Sequence, residues 1–259
     1  MSLALPAVRV FQRNWLVYRR LWHRSLAFGF LMPILFLTAM GLGLGGLMSA
    51  ADASAFGGIP YLSFVGTGLL GATAMQTATF ESTYPIMNKI MWGRNYEAML
   101  STPLGVRHLV IGELAWVGFR LATIAVVFMA ALMVFGVVET PLAVLAIPIV
   151  VLVGLGFSAW LIAFTATQKN DVGFSAVFRF VINPLFIFSG TFFPLTQLPE
   201  QIQWVAWATP LFHGVELIRG LILDRLNLAA DAAHLAYLVV FFAIGWWLAD
   251  RSLLRRMSS

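Results

Sequence analysis

The sequence predicts an all-α polytopic membrane protein. It forms one domain over residues 1–259, with six transmembrane helices, an N-terminal amphipathic interface helix, a short cytoplasmic helix and an outer re-entrant helical hairpin. Three observations predict this. The chain is 60% hydrophobic and 10% charged, with a mean hydropathy of +0.88, whereas a water-soluble surface draws on about 25% charged residues. Six apolar runs, at 25–48, 61–83, 109–137, 142–167, 172–193 and 229–249, each approach the roughly 20 residues that a hydrocarbon core about 30 Å thick demands. The charges, finally, are segregated by loop. Since no water inside a bilayer can take up free backbone groups, each run must bond within itself and so is helical.

The first element is residues 1–24. Arg9, Arg13, Arg20 and Arg24 recur at one helical pitch, and Phe11, Trp15, Tyr18 and Trp22 recur at a similar one. At about 100° per residue the two stripes fall on roughly opposite faces. Such a helix is expected to lie flat in the interface, rings sunk and guanidiniums toward lipid phosphates or a partner. The small residues near 51–55 resemble a cleavage site, but the run before them is about twice the length of a signal-peptide core, so no cleavage is expected.

The spans follow with connections of unequal weight. The joins around Glu139-Thr140-Pro141 and Lys169 are tight, whereas 84–108 and 194–227 are long. Arg9–Arg24, Lys89–Arg107, Lys169 and Arg251–Arg256 hold twelve of the sixteen Lys and Arg, while loops of the other parity carry Asp52, Glu139, Glu200, Asp224 and Asp231. This asymmetry places both termini in the cytoplasm. It also accounts for the net charge of +5 without nucleic acid as a partner.

Within 84–108, residues 87–100 can form one short cytoplasmic helix. Arg94 and Glu97 give it a wet face, and Tyr96, Met99 and Leu100 an apolar knob of the kind that plugs into a partner's groove. The outer stretch is too apolar for a solvated loop, yet Pro194, Pro199 and Pro210 cut it into pieces too short to span. Two short helices, about 200–208 and 211–223, are expected to dip into the membrane and return, against protein or a water-filled cavity.

Charges inside the spans carry a functional expectation, because hydrocarbon makes each of them costly. Glu113 and Arg120 share a face of the third span; they can pair with each other through intervening groups, or with Glu81. Arg179 lies two turns into the fifth span and can snorkel to the interface. Asn183-Pro184 follows, and Pro184 should kink the helix. Each charged group can equally be a structural pair.

Several catalytic readings fall away. The GxGxxG matches at Gly41 and Gly66 lie inside apolar runs, without the strand and acidic residue that a dinucleotide site needs. Gly41 and Gly45 instead form a GxxxG packing face. GxxxxGK[ST], HExxH and GxSxG are absent, the four histidines are dispersed, and there is no cysteine. No metal site is expected, and no enzyme.

These pieces resemble the permease subunits of type-2 ABC exporters, nearest to the nodulation lipo-oligosaccharide and daunorubicin-type drug exporter branch. The stretches that carry the resemblance are RNYEAMLSTPLGVRHLVIGELAW at 94–116, SGTFFPLTQLP at 189–199 and TPLFHGVELIRG at 209–220. The resemblance implies a bacterial cytoplasmic-membrane permease working as a pair with a second permease copy and two copies of a separate ABC ATPase that binds ATP and Mg, this chain holding neither. It implies that Arg94, Asn95, Tyr96, Glu97, Met99 and Leu100 form the coupling helix on the ATPase. Gly41, Gly45, Asn183, Pro184, Phe192 and Phe193 would lie at the permease–permease face and pathway. Pro194, Pro199, Pro210, His213, Glu216 and Arg219 would belong to an outer gate. The cargo expected is amphipathic, a lipid-linked oligosaccharide or a lipophilic drug moved outward, with membrane lipid as a further partner. The competing reading is an ATPase-independent channel or proton-coupled carrier dependent on Glu81, Glu113 or Arg120.

Overall fold

The computed structural model describes residues 4–39, 43 and 56–258. Gly41 and Gly45 lie outside the described residues, as do the side chains of Trp22 and Arg24. Every regular element among the described residues is helical. In chain order they are α1 (Ala4–Thr38), α2 (Tyr61–Ser82), α3 (Tyr84–Met87), α4 (Asn95–Leu100), α5 (Val106–Val134) and α6 (Ala146–Thr167). There follow α7 (Val172–Val177), α8 (Asn183–Phe188), α9 (Glu200–Trp207), α10 (Pro210–Ile222) and α11 (Leu228–Ser258).

Among the described residues three helical stretches are long and apolar enough to cross a membrane: Val106–Val134, Pro141–Thr167 and Leu228–Ser258. The other expected spans differ for physical reasons. α2 has the length of a span but is enclosed by its neighbours, with Phe64 through Ala72 buried, so it can carry small and polar residues that a lipid-facing helix cannot. The fifth run is shorter than expected and is interrupted. A π-helical turn, Phe178–Ile182, precedes Asn183-Pro184, and the Asn183 N–H reaches back to the Phe178 carbonyl. Pro184 offers no N–H of its own, and the wide turn lets the chain pass that gap.

The largest departure is α1. The expected flat interface helix and first span are one continuous helix, Ala4–Thr38. Phe11, Trp15 and Tyr18 of the aromatic stripe pack on α5. Phe11 meets Trp116 and Phe119 edge-on at 5.7 and 5.8 Å between centroids, and Tyr18 meets Trp116 at 5.5 Å. Edge-to-face aromatic pairs add about 0.5–1.5 kcal/mol each beyond the area they bury, and these hold α1 against α5. Gly112 permits the approach: a Cβ there would fall 2.5 Å from Val10 Cβ and 2.9 Å from the Ala7 carbonyl.

The bundle is built on α6, which contacts α2, α5, α10 and α11. In an apolar bundle small residues and polar stitches replace the hydrophobic drive. Ser82 and Ser158 hydroxyls meet at 2.7 Å, Thr165 donates to the Ser82 carbonyl at 2.9 Å, and Trp160 Nε1 donates to the Phe241 carbonyl at 3.0 Å. The glycines of the second GxGxxG match serve the same packing. Gly68 lies against the Thr191 backbone and Gly71 against Val215 and Ile218 of α10.

The two short helices expected in the outer stretch are α9 and α10. Thr209 caps α10, its Oγ1 accepting from the Phe212 N–H at 3.4 Å, with Pro210 in the first turn. α10 is inserted into the bundle, burying Leu211, Val215, Ile218 and Ile222. It ends beside the loop between α5 and α6, where the Glu139 N–H bonds the Ile222 carbonyl at 3.0 Å. The bundle therefore has one basic end, with the start of α1, α3, α4 and the end of α11, and an opposite end holding α9 and α10.

Candidate functional site

The basic end gathers a polar cluster from four distant stretches of chain. At its centre is Glu113 of α5, 2% exposed. Its Oε2 accepts from Lys89 Nζ at 2.6 Å and from Asn14 Nδ2 of α1 at 3.0 Å, while Oε1 has no partner within range. The Tyr96 phenol of α4, 1% exposed, faces the same carboxylate. Burial first, and the Glu113 charge second, push its ionisation well above the ordinary phenol range. It is therefore a neutral phenol buried beside a carboxylate.

Local geometry explains how α4 reaches this point. After Pro85 the chain makes a π turn over Asn88–Trp92, closed by the Gly93 N–H on the Asn88 carbonyl at 2.7 Å. Arg94 then takes a left-handed conformation, φ 45° and ψ 30°, and starts α4. This reversal turns Tyr96 inward. The apolar knob expected to project toward a partner is thus corrected. Met99 and Leu100 are half-buried against a core cluster containing Val10, Ile90, Leu109 and Leu253. A buried carboxylate needs donors, and Tyr96 is more useful to Glu113 than to a distant groove. What α4 presents outward is Arg94, Glu97 and Ala98, beside Trp92 at 59% exposure.

A second ion pair lies one level deeper. Arg120 Nε donates to Glu81 Oε1 of α2 at 3.2 Å, and its guanidinium sits 4.9 Å from the Tyr18 ring of α1. Of the two partnerings open for Glu113 and Arg120, the structure takes the one across helices, and each charge has its own counter-ion. Arg13 is half-buried and bonds Asn14 Oδ1 at 3.3 Å, while Arg9, Arg20 and Trp15 are exposed. Arg107 and Asp250 tie α5 to α11 at 3.0 Å.

Sequence reasoning missed Lys89 and Asn14 as members. A signal for Asn14 existed: it stands three residues after Phe11 and four before Tyr18, so it is a polar residue on the inward stripe. Lys89 is one of only two lysines, and nothing in the sequence tied it to Glu113.

The remaining candidates are elsewhere. Arg179 is exposed on the free face of the α7–α8 segment, beside Phe180 at 78% exposure; Asn183 is exposed and Pro184 half-buried. Phe192 packs on Phe186 at 5.0 Å and on Phe36 of α1 at 6.2 Å, and Phe193 on Phe188 at 6.4 Å. Pro194 and Pro199 stand immediately before a 3-10 turn and α9. Arg219 of α10 is buried over the Phe64 ring at 3.8 Å, bonded to Glu216 at 2.6 Å and to the Gly190 carbonyl at 2.8 Å. His213 Nδ1 lies 2.6 Å from His234 Nδ1 of α11. Arg13, Glu81, Tyr96, Glu113 and Arg120 thus gather at the basic end, and His213, Glu216 and Arg219 on α10 at the other.

The comparisons with known proteins follow this geometry. Residues 8–223 match the family model described as ABC-2 type transporter. The chain is similar to Nodulation protein J of Sinorhizobium fredii, 31% identical over all of this chain and 98% of that one. It is 30% identical to the protein of the same name from Rhizobium leguminosarum bv. viciae, over 95% of this chain and 93% of that one. Against the Bradyrhizobium diazoefficiens protein of that name it is 31% identical, over 95% and 92%.

Proposed function

The chain belongs to the ABC-2 type transporter family as a membrane component, and from that premise we propose that it is the permease subunit of an ATP-driven exporter. In this reading six segments cross the membrane, the basic end faces the cytoplasm, and a pair of permeases works with two copies of a separate ATPase that binds ATP and Mg. α4 is the coupling helix. The observation that carries the proposal is the burial of Tyr96 against Glu113. A short surface helix is wired through one carboxylate to α1, α5 and the turn after α3. A push on its outward face, Arg94 and Glu97, therefore reaches two long helices at once. ATP binding by the partner would shift the permease between arrangements through that contact, as any ligand does that binds one state better.

At the opposite end the hairpin is the gate. A cavity of about 440 Å³ there is lined by Phe56, Phe64, Trp207, Phe212, Glu216 and Arg219. The exposed apolar face of Phe180, Ile187 and Phe188 supports a second permease packing on α8, with Arg179 and Asn183 at that seam. Cargo is amphipathic, a lipid-linked oligosaccharide or a lipophilic compound, moved outward.

The test is copurification of an ATPase subunit with the tagged chain, wild type against Arg94→Glu with Glu97→Arg. The ATPase is expected to copurify with the wild type and to be released, or its turnover uncoupled, by the charge reversal. If no chain with GxxxxGK[ST] copurifies, or the reversal changes neither stoichiometry nor coupled turnover, the proposal fails.

A further inference from the structure

A cavity of about 270 Å³ opens at the basic end beside the polar cluster, lined among others by Arg13, Lys89, Arg120, Asn88, Asn95 and Val17. Its charge does not balance. Three cations face it, with one lining carboxylate, Glu81, and Glu113 just behind. Each carboxylate is already committed to one cation, which leaves Arg13 without a counter-charge among the described residues.

Hydrogen-bonding capacity is more lopsided still. A guanidinium carries five N–H groups and an ammonium three, yet Arg13, Arg120 and Lys89 each spend one on a protein acceptor. The Lys89 and Arg120 side chains are only 12% and 16% exposed, so bulk water does not make up the difference. The cavity is rich in donors and short of acceptors. An acceptor-rich anion repairs that, and a phosphate offers several oxygens to a guanidinium fork and an ammonium together.

The rim indicates what the anion is attached to. Val17 belongs to the lining, and Val17, Leu16 and Trp15 of α1 are 54%, 59% and 38% exposed. Exposed apolar side chains of α1 thus lie next to a cationic cavity, Val17 within its lining. We propose that this cavity binds the phosphate head of an anionic phospholipid from the leaflet at the basic end, with an acyl chain along Trp15–Val17. Basic pockets between membrane helices on that side hold lipid head groups by the same chemistry. Because Lys89 and the first residue of α4, Asn95, share the lining, an occupied cavity fixes the start of α4. That consequence rests on α4 being the coupling helix; the binding itself does not.

The experiment is native mass spectrometry of the full chain in detergent, titrated with phosphatidylglycerol and, separately, phosphatidylcholine. Wild-type protein should retain phosphatidylglycerol about tenfold more strongly, the scale of one or two charge-assisted hydrogen bonds. Arg13→Gln removes the uncompensated cation, and Asn88→Glu sets a carboxylate at the exposed rim without touching either ion pair. Each should lower phosphatidylglycerol retention about tenfold and leave phosphatidylcholine unchanged. Equal retention by wild type and both variants overturns the proposal. Displacement of the lipid by an equal concentration of inorganic phosphate also overturns it, by assigning the cavity to soluble anions. The readout needs no ATPase, so it fails or succeeds independently of the transport reading.

Discussion

Deleting Glu113 alone should harm the protein more than deleting it together with Lys89. The two charges meet at 2.6 Å, with side chains 3% and 12% exposed. At an effective dielectric near 20, Coulomb's law gives about 6 kcal/mol of gross attraction at that distance. Taking both ions out of water costs several kcal/mol each and offsets most of the gain. The intact pair is therefore close to break-even against an apolar pair, but a single deletion strands one ion in a site built for two. Glu113→Leu leaves the Lys89 ammonium and the Asn14 amide facing a leucine, and should cost about 3–5 kcal/mol. Lys89→Met should cost somewhat less, because a stranded carboxyl can take up a proton. The double variant should lose only about 1–2 kcal/mol, which amounts to a coupling free energy of about 5 kcal/mol. The assay is reversible unfolding in mixed micelles with a rising fraction of denaturing detergent, followed by helical circular dichroism. Additive losses, with the double variant as unstable as the two singles combined, would refute the claim that these residues act as a pair.

Further outcomes follow from the same geometry. Tyr96→Phe keeps the packing and removes the hydroxyl facing Glu113, for a loss of about 1.5–3 kcal/mol, whereas Tyr96→Ala also opens a cavity and should cost about 3–5 kcal/mol; a Tyr96→Phe variant as stable as the wild type would mean the phenol hydroxyl is idle. Gly68→Val should cost about 1–3 kcal/mol or more, because its Cβ would stand 2.7 Å from the Thr191 carbonyl oxygen. Gly118→Ala, whose Cβ would meet Leu155 at an ordinary 3.7 Å, should be neutral or stabilising by up to about 1 kcal/mol, and thermal unfolding separates the two. His213 stands on α10, whose 13 residues are too few to span. Burial first, and His234 beside it second, hold its pKa down from 6.5 to about 4. The folded state then favours the neutral ring, so its contribution is present above pH 6.5 and is lost as pH falls toward 4. A chain with His213→Gln should lose stability less steeply over that window; identical slopes would count against the histidine contact.

Hydropathy could place helices because a bilayer leaves the backbone no alternative to bonding with itself. The helices α9 and α10 were legible for a related reason: Pro199 and Pro210 favour helix starts, and the two helices begin at Glu200 and Pro210. The continuity of α1 was not legible. An Arg-rich amphipathic stretch followed by an apolar run reads as two elements, and only Trp116 and Phe119, about a hundred residues away, supply the surface on which Phe11, Trp15 and Tyr18 pack. Partner choice among charges was legible only as a set of options. Glu81, Glu113 and Arg120 were visible as costly groups in apolar runs, but periodicity within one helix cannot say which carboxylate on another helix lies at the same depth.

The inward turn of Tyr96 changes what a contact at α4 can do. A knob projecting into a partner's groove would make α4 a handle, attached to the rest of the chain by its two flanking loops. With Tyr96 buried and Met99 and Leu100 half-buried against the same cluster, α4 is instead anchored in the core of the basic end. Displacing it means moving the buried carboxylate it faces, and Glu113 cannot move without Lys89 and Asn14, the latter in the middle of the segment of α1 held on α5 by its aromatic rings. Packed cores are bistable and do not deform continuously, so a force on Arg94 and Glu97 is answered by α1 and α5 shifting together or not at all. That is the behaviour required of an element that turns a partner's closure into rearrangement of long helices, and a loosely tethered helix cannot supply it.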